Sequence, residues 1–95
     1  MEKQVQINYT RNFIRQLEKS PAKIKSAFLK RRELFQKDPY NHQLRNHALS
    51  GKRKGLRSIN VTGDWRALYE EQNNSKQLYI IALFRAIGTH SQLYK

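Results

Sequence analysis

Polar and apolar residues alternate at the start of the chain. Residues Gln4–Tyr9 follow a period of two, which is typical of a strand with one buried face. Thr10 then precedes a run in which apolar residues recur every three or four positions, and its side-chain oxygen can cap a helix. We therefore expect a strand followed by a short helix whose apolar side is formed by Phe13, Ile14 and Leu17.

A second helix is predicted to begin at Ser20-Pro21 and to end at Asp38-Pro39. Serine at the N-cap and proline at the first helical position suit a helix start, and an Asp-Pro step stops a helix. Apolar residues between these points form a stripe at helical spacing, namely Ile24, Ala27, Phe28, Leu34 and Phe35. Helices joined this closely should pack as an antiparallel hairpin on one face of a sheet, with Phe28 and Phe35 in the core.

The middle of the chain changes from irregular to alternating. Residues 40–55 have no sustained period and are rich in Asn, His, Ser and Gly, which predicts a long connection held down by Leu44 and Leu49. Residues 56–61 alternate, with Ile59 and Val61 on the apolar side. A Thr-Gly-Asp turn at 62–64 separates them from a second strand over 65–70, so a hairpin is expected here.

The last predicted strand is an almost continuous apolar run over residues 78–84, which suits an interior strand covered on both sides. A turn at 73–75 should lead into it, and Gly88 is expected to break it before a turn that ends in Leu93 and Tyr94. The pattern predicts one domain over residues 1–95 with an α+β fold. In this fold an N-terminal strand and an α-helical hairpin pack on a small, mainly antiparallel β-sheet.

Charge narrows the choice of partner. Nineteen Lys and Arg residues oppose seven Asp and Glu, which gives a net charge of +12, and fifteen of the nineteen cations precede Ile59. Residues 41–63 contain no carboxylate, while basic residues accumulate there. This distribution favours nucleic acid, the ribosome or an acidic protein as partner, and a merely solvated basic surface is the alternative.

Several classes of site are excluded by composition. The chain has no cysteine, so it has no disulfide framework, thiolate metal site or cysteine nucleophile. It also has no HxH, HExxH or carboxylate cluster, so we expect neither a metal nor a cofactor. The N-terminal ten residues lack an apolar signal region, and no apolar run approaches the ~20 residues of a membrane span, which predicts a cytoplasmic protein.

Three residues are candidates for proton transfer. His47 and His90 lie in predicted irregular segments beside strand ends, where catalytic groups concentrate. Asp64 is the one carboxylate between Asp38 and Glu70, and it follows the basic loop. A solvated histidine and a turn-forming aspartate are the alternative interpretations.

The basic loop offers phosphate ligands. Lys52, Arg53 and Lys54 can neutralise phosphates, which gives salt-dependent affinity for any sequence. Arg57 stands at a predicted strand start, where it could be held rigidly enough to brace a phosphorane. A charge run of this kind can also be an ordinary solvated loop.

Two aromatic residues complete the candidate set. Tyr94 can stack on a base or donate a proton, and it can equally close the core at the end of the chain. Trp65 can stack on a base, although a tryptophan that opens a strand is more often a core anchor. RNA cleavage by 2′-hydroxyl attack is the one reaction that uses this whole set of residues without a metal or cofactor.

Three motifs resemble a known group of proteins. They are H-x-L-x-G-x-x-K-G-x-R from His47 to Arg57, Asp64-Trp65, and G-T-H-x-x-L-Y from Gly88 to Tyr94. In this order they resemble the RelE/ParE superfamily of toxins from bacterial type II toxin–antitoxin systems. They are most similar to the YafQ-like mRNA interferases, which depend on the ribosome. The resemblance implies an endoribonuclease with no metal requirement.

The resemblance also implies roles for individual residues. His47, Asp64, His90 and Tyr94 match the catalytic set, with His47 or Asp64 as the base and His90 as the acid. Tyr94 would position the RNA base at the cleavage point. Arg57 matches an arginine that would contact phosphate, and Trp65 matches its family counterpart.

One strand departs from the family pattern. YafQ-like enzymes carry an aspartate and a histidine where this chain has Ser58 and Asn60, and asparagine cannot act as a base near neutral pH. Two alternatives therefore stay open: a ParE-like inhibitor of DNA gyrase, and a catalytically inactive toxin-fold protein that binds its antitoxin or RNA. The toxin interpretations imply a cognate antitoxin with an acidic segment that folds over part of the region from Lys52 to Arg57.

Overall fold

Five strands form one sheet, and two helices cover one of its faces. The computed structural model describes residues 4–72 and 79–94. The strands are β1 (Gln4–Tyr9), β2 (His47–Ala48), β3 (Leu56–Asn60), β4 (Trp65–Gln72) and β5 (Tyr79–Thr89), and the helices are α1 (Arg11–Glu18), α2 (Ala22–Lys37) and α3 (His90–Leu93). The strand order is β1-β5-β4-β3-β2. β1 pairs with β5 in parallel and the other pairs are antiparallel, so the predicted α+β fold with a mainly antiparallel sheet is confirmed.

The core lies between the helices and the sheet and is rich in aromatic rings. Phe13 of α1, Phe28 of α2 and Phe84 of β5 are buried, and their ring centroids lie 5.2 to 5.7 Å apart. Phe35 of α2 packs against Tyr69 of β4 at 5.0 Å. The predicted hairpin and the core positions of Phe28 and Phe35 are therefore confirmed.

The two helix starts are built differently. The Thr10 side chain accepts a hydrogen bond from the Phe13 N–H (3.1 Å), so the predicted cap of α1 is correct. The predicted serine cap of α2 is wrong, because the Ser20 hydroxyl instead donates to the Gln16 carbonyl (2.8 Å) at the end of α1. The N-cap residue of α2 is Pro21, which has no side-chain donor or acceptor. Ser20 therefore closes the first helix and does not open the second.

Strand register separates the two faces of the sheet. Ile59 and Val61 are buried in the core under the helices. Because side chains alternate along a strand, Ser58 and Asn60 lie on the opposite face, which we call the helix-free face. Ser58 pairs with His47 of β2, and Asn60 pairs with Arg66 of β4. Directly paired residues share a face, so these four residues belong to the helix-free face.

Three expectations for the later part of the chain need correction. β2 is a short strand inside the segment predicted to be irregular, since two residues are too few to show a period. Gly88 does not break the last strand but pairs with Arg66, and β5 continues to Thr89. β5 is an interior strand, but Ile81 and Leu83 are only half-buried because no long helix covers their face.

The remaining expectations concern the loops and the hairpins. Leu44 is buried and holds down the connection before β2, as predicted. β3 and β4 form the predicted hairpin around residues 62–64. The turn predicted at residues 73–75 lies outside the described residues. Within the two described ranges, no helix is both long and apolar enough to cross a membrane.

Candidate active site

His90 and Tyr94 are held together at the end of β5. Thr89 caps α3 by accepting from the Gln92 N–H (3.2 Å), and the Gln92 side chain accepts from the Thr89 N–H (2.9 Å). This reciprocal pair fixes His90 at the first position of the helical turn. Tyr94 lies four residues later, so its ring packs against the His90 ring with centroids 4.6 Å apart. Both predicted side chains therefore share one small structural unit.

The basic loop reaches this unit through Arg53. Residues Gly51–Arg53 form a turn of 3₁₀ helix between β2 and β3. The Arg53 guanidinium lies over the Tyr94 ring, with Cζ 5.0 Å from the ring centroid. This contact is a cation–π interaction, which suits an arginine because its planar group can lie flat on a ring. Lys52 and Lys54 flank it with exposed side chains.

Asp64 is joined to the same region through the backbone. Its carbonyl oxygen accepts from the His90 N–H (3.0 Å), which ties the turn between β3 and β4 to the start of α3.

Two arginines also hold the turn that carries Asp64. Arg66 Nη1 donates to the carbonyl oxygens of Thr62 (3.0 Å) and Gly63 (2.9 Å), and Arg31 Nε donates to Val61 (3.3 Å). The exposed Asp64 carboxylate thus stands on a braced turn.

His47 occupies the other side of the helix-free face. Its Nδ1 lies 2.8 Å from the Arg45 carbonyl oxygen. Because a carbonyl oxygen can only accept, Nδ1 carries a proton, and the Nδ1–H tautomer of the exposed ring has its lone pair on Nε2. His47 pairs with Ser58 in the sheet. This pair lies three residues along the strands from the pair Trp65 and Thr89, which corresponds to about 10 Å at the usual rise per residue of a strand. Because β3 and β4 also lie between β2 and β5, His47 stands at a different part of the sheet from His90.

Arg57 points away from the other predicted phosphate ligands. It pairs with Tyr69, which packs under α2, so both lie on the helix side of the sheet. The Arg57 Nε–H donates to Asn46 Oδ1 (2.8 Å), and its Cζ lies 5.4 Å from the centroid of the Tyr40 ring. Arg57 is thus part of a network of side chains behind β2.

Trp65 is half-buried and packs against the core, so the core interpretation of this residue is confirmed. It pairs with Thr89 at the start of β4 and anchors the hairpin next to α3. One edge of the ring lines a shallow cleft with Lys19, Ser20 and Gln92. The main contribution of Trp65 is therefore to support the strand that carries the Asp64 turn.

Asn46 and Arg66 were missed by the sequence analysis. Asn46 lay in a segment without a period, where no pattern marks one polar residue above another. Arg66 could have been found, because strand alternation across the predicted hairpin places it opposite Asn60. Among the described residues, no group of three or more His, Asp or Glu side chains is arranged to hold a metal ion.

The sequence matches a known family. The model of the YafQ family, which describes a bacterial toxin of type II toxin–antitoxin systems, matches residues 5–95. The chain belongs to this family. Among curated proteins, none matches it in sequence.

Solved structures share the YafQ-family fold. YafQ from E. coli aligns with a TM-score of 0.67 and 22% identity, over 97% of this chain and 100% of that chain. A chain of the E. coli DinJ–YafQ toxin–antitoxin complex gives 0.72 and 21%, over 97% and 99% of the two chains. The YoeB/ParE toxin from Agrobacterium tumefaciens gives 0.70 and 14%, over 90% and 98%. At these identities the likeness concerns the fold.

Two uncharged polar residues of β3, Ser58 and Asn60, lie on the helix-free face. Ser58 is fully buried, and its hydroxyl has no hydrogen-bond partner among the described residues, while Asn60 is half-buried beside Arg66. Leu68, which pairs with Ser58, is also buried on the helix-free face. Neither Ser58 nor Asn60 is ionisable, so the candidates for proton transfer come from other positions, such as His47, which pairs with Ser58.

Proposed function

We propose that this YafQ-family toxin is a ribosome-dependent endoribonuclease that cleaves mRNA without a metal ion. The observation that carries the proposal is the joining of His90, Tyr94 and Arg53 to the braced turn of Asp64. An exposed imidazole, a carboxylate and a guanidinium thereby meet on one surface of a chain with a net charge of +12. RNA supplies the phosphate, the 2′-hydroxyl and the bases that these groups can engage.

The proposed reaction needs a base and an acid, and different residues supply them. A base, His47 Nε2 or the Asp64 carboxylate, takes the 2′-hydroxyl proton, and the oxygen attacks the adjacent phosphorus. An O2′–P bond forms while the P–O5′ bond breaks, which leaves a 2′,3′-cyclic phosphate. The His90 imidazolium gives its proton to the leaving 5′ oxygen. Attack and departure occur on opposite sides of the phosphorus in this in-line displacement, so the scheme needs its base and its acid at separate positions, as His47 and His90 are.

The remaining residues bind and orient RNA. Arg53, Lys52 and Lys54 stabilise the extra negative charge of the phosphorane and hold neighbouring phosphates. Tyr94 orients the His90 ring and, together with the Arg53 guanidinium, presents a flat surface on which a base can stack. Ser58 and Asn60 take no part in proton transfer in this scheme.

An antitoxin is the proposed protein partner. A type II toxin is neutralised by a cognate protein, and two of the similar structures, E. coli DinJ–YafQ and Mycobacterium tuberculosis RelBE2, are described as toxin–antitoxin complexes. We infer that the antitoxin of this chain carries an acidic segment that folds over the loop from Lys52 to Arg57. Opposite charge would speed association and would exclude RNA from the same surface.

Primer extension tests the proposed activity. The toxin is induced without its antitoxin in a bacterial host that carries one reporter mRNA in a translated and an untranslated copy. We expect cuts in the translated copy alone. His90→Ala should lower cleavage by about 10²–10⁴-fold, which is the usual contribution of a general acid.

His42→Ala provides a matched control, because His42 is an exposed histidine in a separate 3₁₀ turn. This variant should cleave like the wild type. Unchanged cleavage by His90→Ala would overturn the assignment of the acid. Arrested growth with intact mRNA would point to gyrase inhibition, and normal growth with intact mRNA to an inactive binding protein.

A further inference from the structure

Asn46, next to His47 in the chain, uses both side-chain donors and one of its two acceptor positions in hydrogen bonds. Its Oδ1 accepts from the Arg57 Nε–H (2.8 Å). Its Nδ2 donates to the Tyr69 hydroxyl (2.8 Å) and to the Pro39 carbonyl oxygen (2.8 Å). An amide with two donated bonds and one accepted bond cannot turn over without breaking all three. Asn46 is thereby fixed in position and orientation.

The three partners of Asn46 come from different, well-anchored parts of the fold. Tyr69 is 1% exposed and packs between Phe35 and Phe84. Arg57 is part of β3 and lies over the Tyr40 ring. Pro39 follows the end of α2. Asn46 therefore joins the helix, the sheet and the start of β2.

The backbone beside Asn46 has a conformation that needs such support. Arg45 has a φ of 46°, which is in the left-handed region that side chains other than glycine rarely adopt. Such a conformation persists where surrounding contacts hold it. Its carbonyl oxygen is the acceptor for His47 Nδ1. The Arg45 backbone thus decides which ring nitrogen of His47 carries the proton.

We propose that Asn46, anchored by Arg57 and Tyr69, is a positioning residue that holds His47 in the Nδ1–H tautomer and keeps Nε2 as its proton acceptor. The inference rests on the proposed ribonuclease function for its catalytic meaning, with His47 as the base. It gives Arg57 a role other than binding phosphate, because the Nε–H of Arg57 is committed to Asn46 on the helix side of the sheet.

The first measurement reads the tautomer directly and needs no activity. Protein labelled with ¹⁵N in its histidines is studied by long-range ¹H–¹⁵N NMR, at a pH high enough to leave the imidazoles neutral, and the His47 signals are assigned with His47→Gln. We expect the wild type to show the Nδ1–H pattern. Asn46→Ala and Arg57→Lys should show a mixture of tautomers. Tyr69→Phe, which keeps the packed ring, is the variant that tests the network with least risk to folding.

Asn12→Ala is the matched control. The Asn12 amide also donates to a carbonyl oxygen, that of Arg85 (3.1 Å), but far from His47. It should leave the tautomer unchanged. In parallel, purified variants are added to a cell-free translation reaction, and cleavage of the translated mRNA is measured as kcat and KM. Loss of positioning should lower kcat by about tenfold or more with little change in KM.

The outcomes separate this inference from the proposed function. A tautomer mixture together with a lower kcat in Asn46→Ala supports both. A tautomer mixture in a chain whose wild type cleaves no RNA supports the positioning network and removes the ribonuclease. A retained Nδ1–H pattern in Asn46→Ala and Tyr69→Phe overturns the inference. Arg57→Lys with an unchanged pattern and weaker RNA binding would return Arg57 to the phosphate ligands.

Discussion

Tyr69 links the core to the site through a single hydroxyl group. Its ring is buried against Phe35 and Phe84, while its hydroxyl accepts from Asn46. Burial raises the pKa of Tyr69 above the usual 10.0, because a tyrosinate would lose its hydration, and the Asn46 hydrogen bond opposes this rise. The Tyr69 hydroxyl is thus a titratable group of the core and also helps to hold His47 in position.

The raised pKa of Tyr69 predicts a loss of stability at alkaline pH. The folded state holds the phenol proton more tightly than the unfolded state, so the stabilisation is complete below the unfolded pKa of 10.0 and is lost as pH rises through the folded pKa. Urea unfolding of the wild type and of Tyr69→Phe over about three pH units, from about pH 8 to about pH 11, measures this loss. We expect the free energy of unfolding of the wild type to fall more steeply above pH 10.0. Parallel curves would contradict the burial effect.

At the scale of elements, α3 depends on the absence of a side chain at Gly88. A Cβ at this position would lie 2.9 Å from Gln92 Oε1 and 3.5 Å from Leu93 Cδ2. The Gln92 oxygen is also the acceptor that closes the Thr89 cap. Adding a methyl group would therefore displace the Gln92 side chain and weaken the hydrogen bond that closes the cap, which would loosen the turn that holds His90 and Tyr94.

Gly88→Ala is expected to lower the free energy of unfolding by about 1–3 kcal/mol, as overpacking usually does, and to reduce RNA cleavage. Gly63→Ala is the matched control for stability, because nothing lies within 4 Å of its Cβ position. Alanine there should be neutral or stabilising by about 0.4–1 kcal/mol, since it restricts the unfolded chain. Chemical denaturation checks both values. Equal stabilities of the two variants would show that α3 adjusts without cost.

The elements that could be predicted from sequence are those with a sustained period. β1 shows a period of two over six residues, and the α2 stripe shows helical spacing over about three turns. β2 has two residues, and Gly88 has the same sequence signature whether it ends a strand or makes room for a helix. Local patterns do not contain the tertiary contacts that decide such cases.

For the candidate site too, the sequence predicts some residues and leaves out others. His90, Tyr94 and Asp64 follow motifs, and the structure places them beside one another. The direction of Arg57 depends on its register against Tyr69, and the role of Asn46 depends on partners as far as 23 residues away. Neither can be inferred from the order of residues in the segment 40–57.

At the scale of the whole molecule, the cations are divided between two surfaces. The loop lysines Lys52 and Lys54 flank Arg53, which contacts Tyr94. Other exposed lysines lie on α2, on the far side of the sheet, among them Lys23 and Lys25. The pair Lys52 and Lys54 and the pair Lys23 and Lys25 contribute equally to the net charge of +12. Because the two groups lie on different surfaces, replacing them separately tests whether RNA binding depends on the total charge of the protein or on local contacts.

Two double variants with the same net charge distinguish these effects. For single-stranded RNA, each neutralised phosphate adds about 0.7 to the slope of log K against log salt concentration. Lys52→Ala with Lys54→Ala should therefore lower the slope by about 1.4. Lys23→Ala with Lys25→Ala should change it little, because charges beyond a Debye length of about 8 Å are screened at physiological salt. Fluorescence anisotropy of a labelled RNA oligonucleotide over a salt series gives both slopes. If the two double variants lose the same slope, RNA senses the whole basic surface and the loop has no special place in binding.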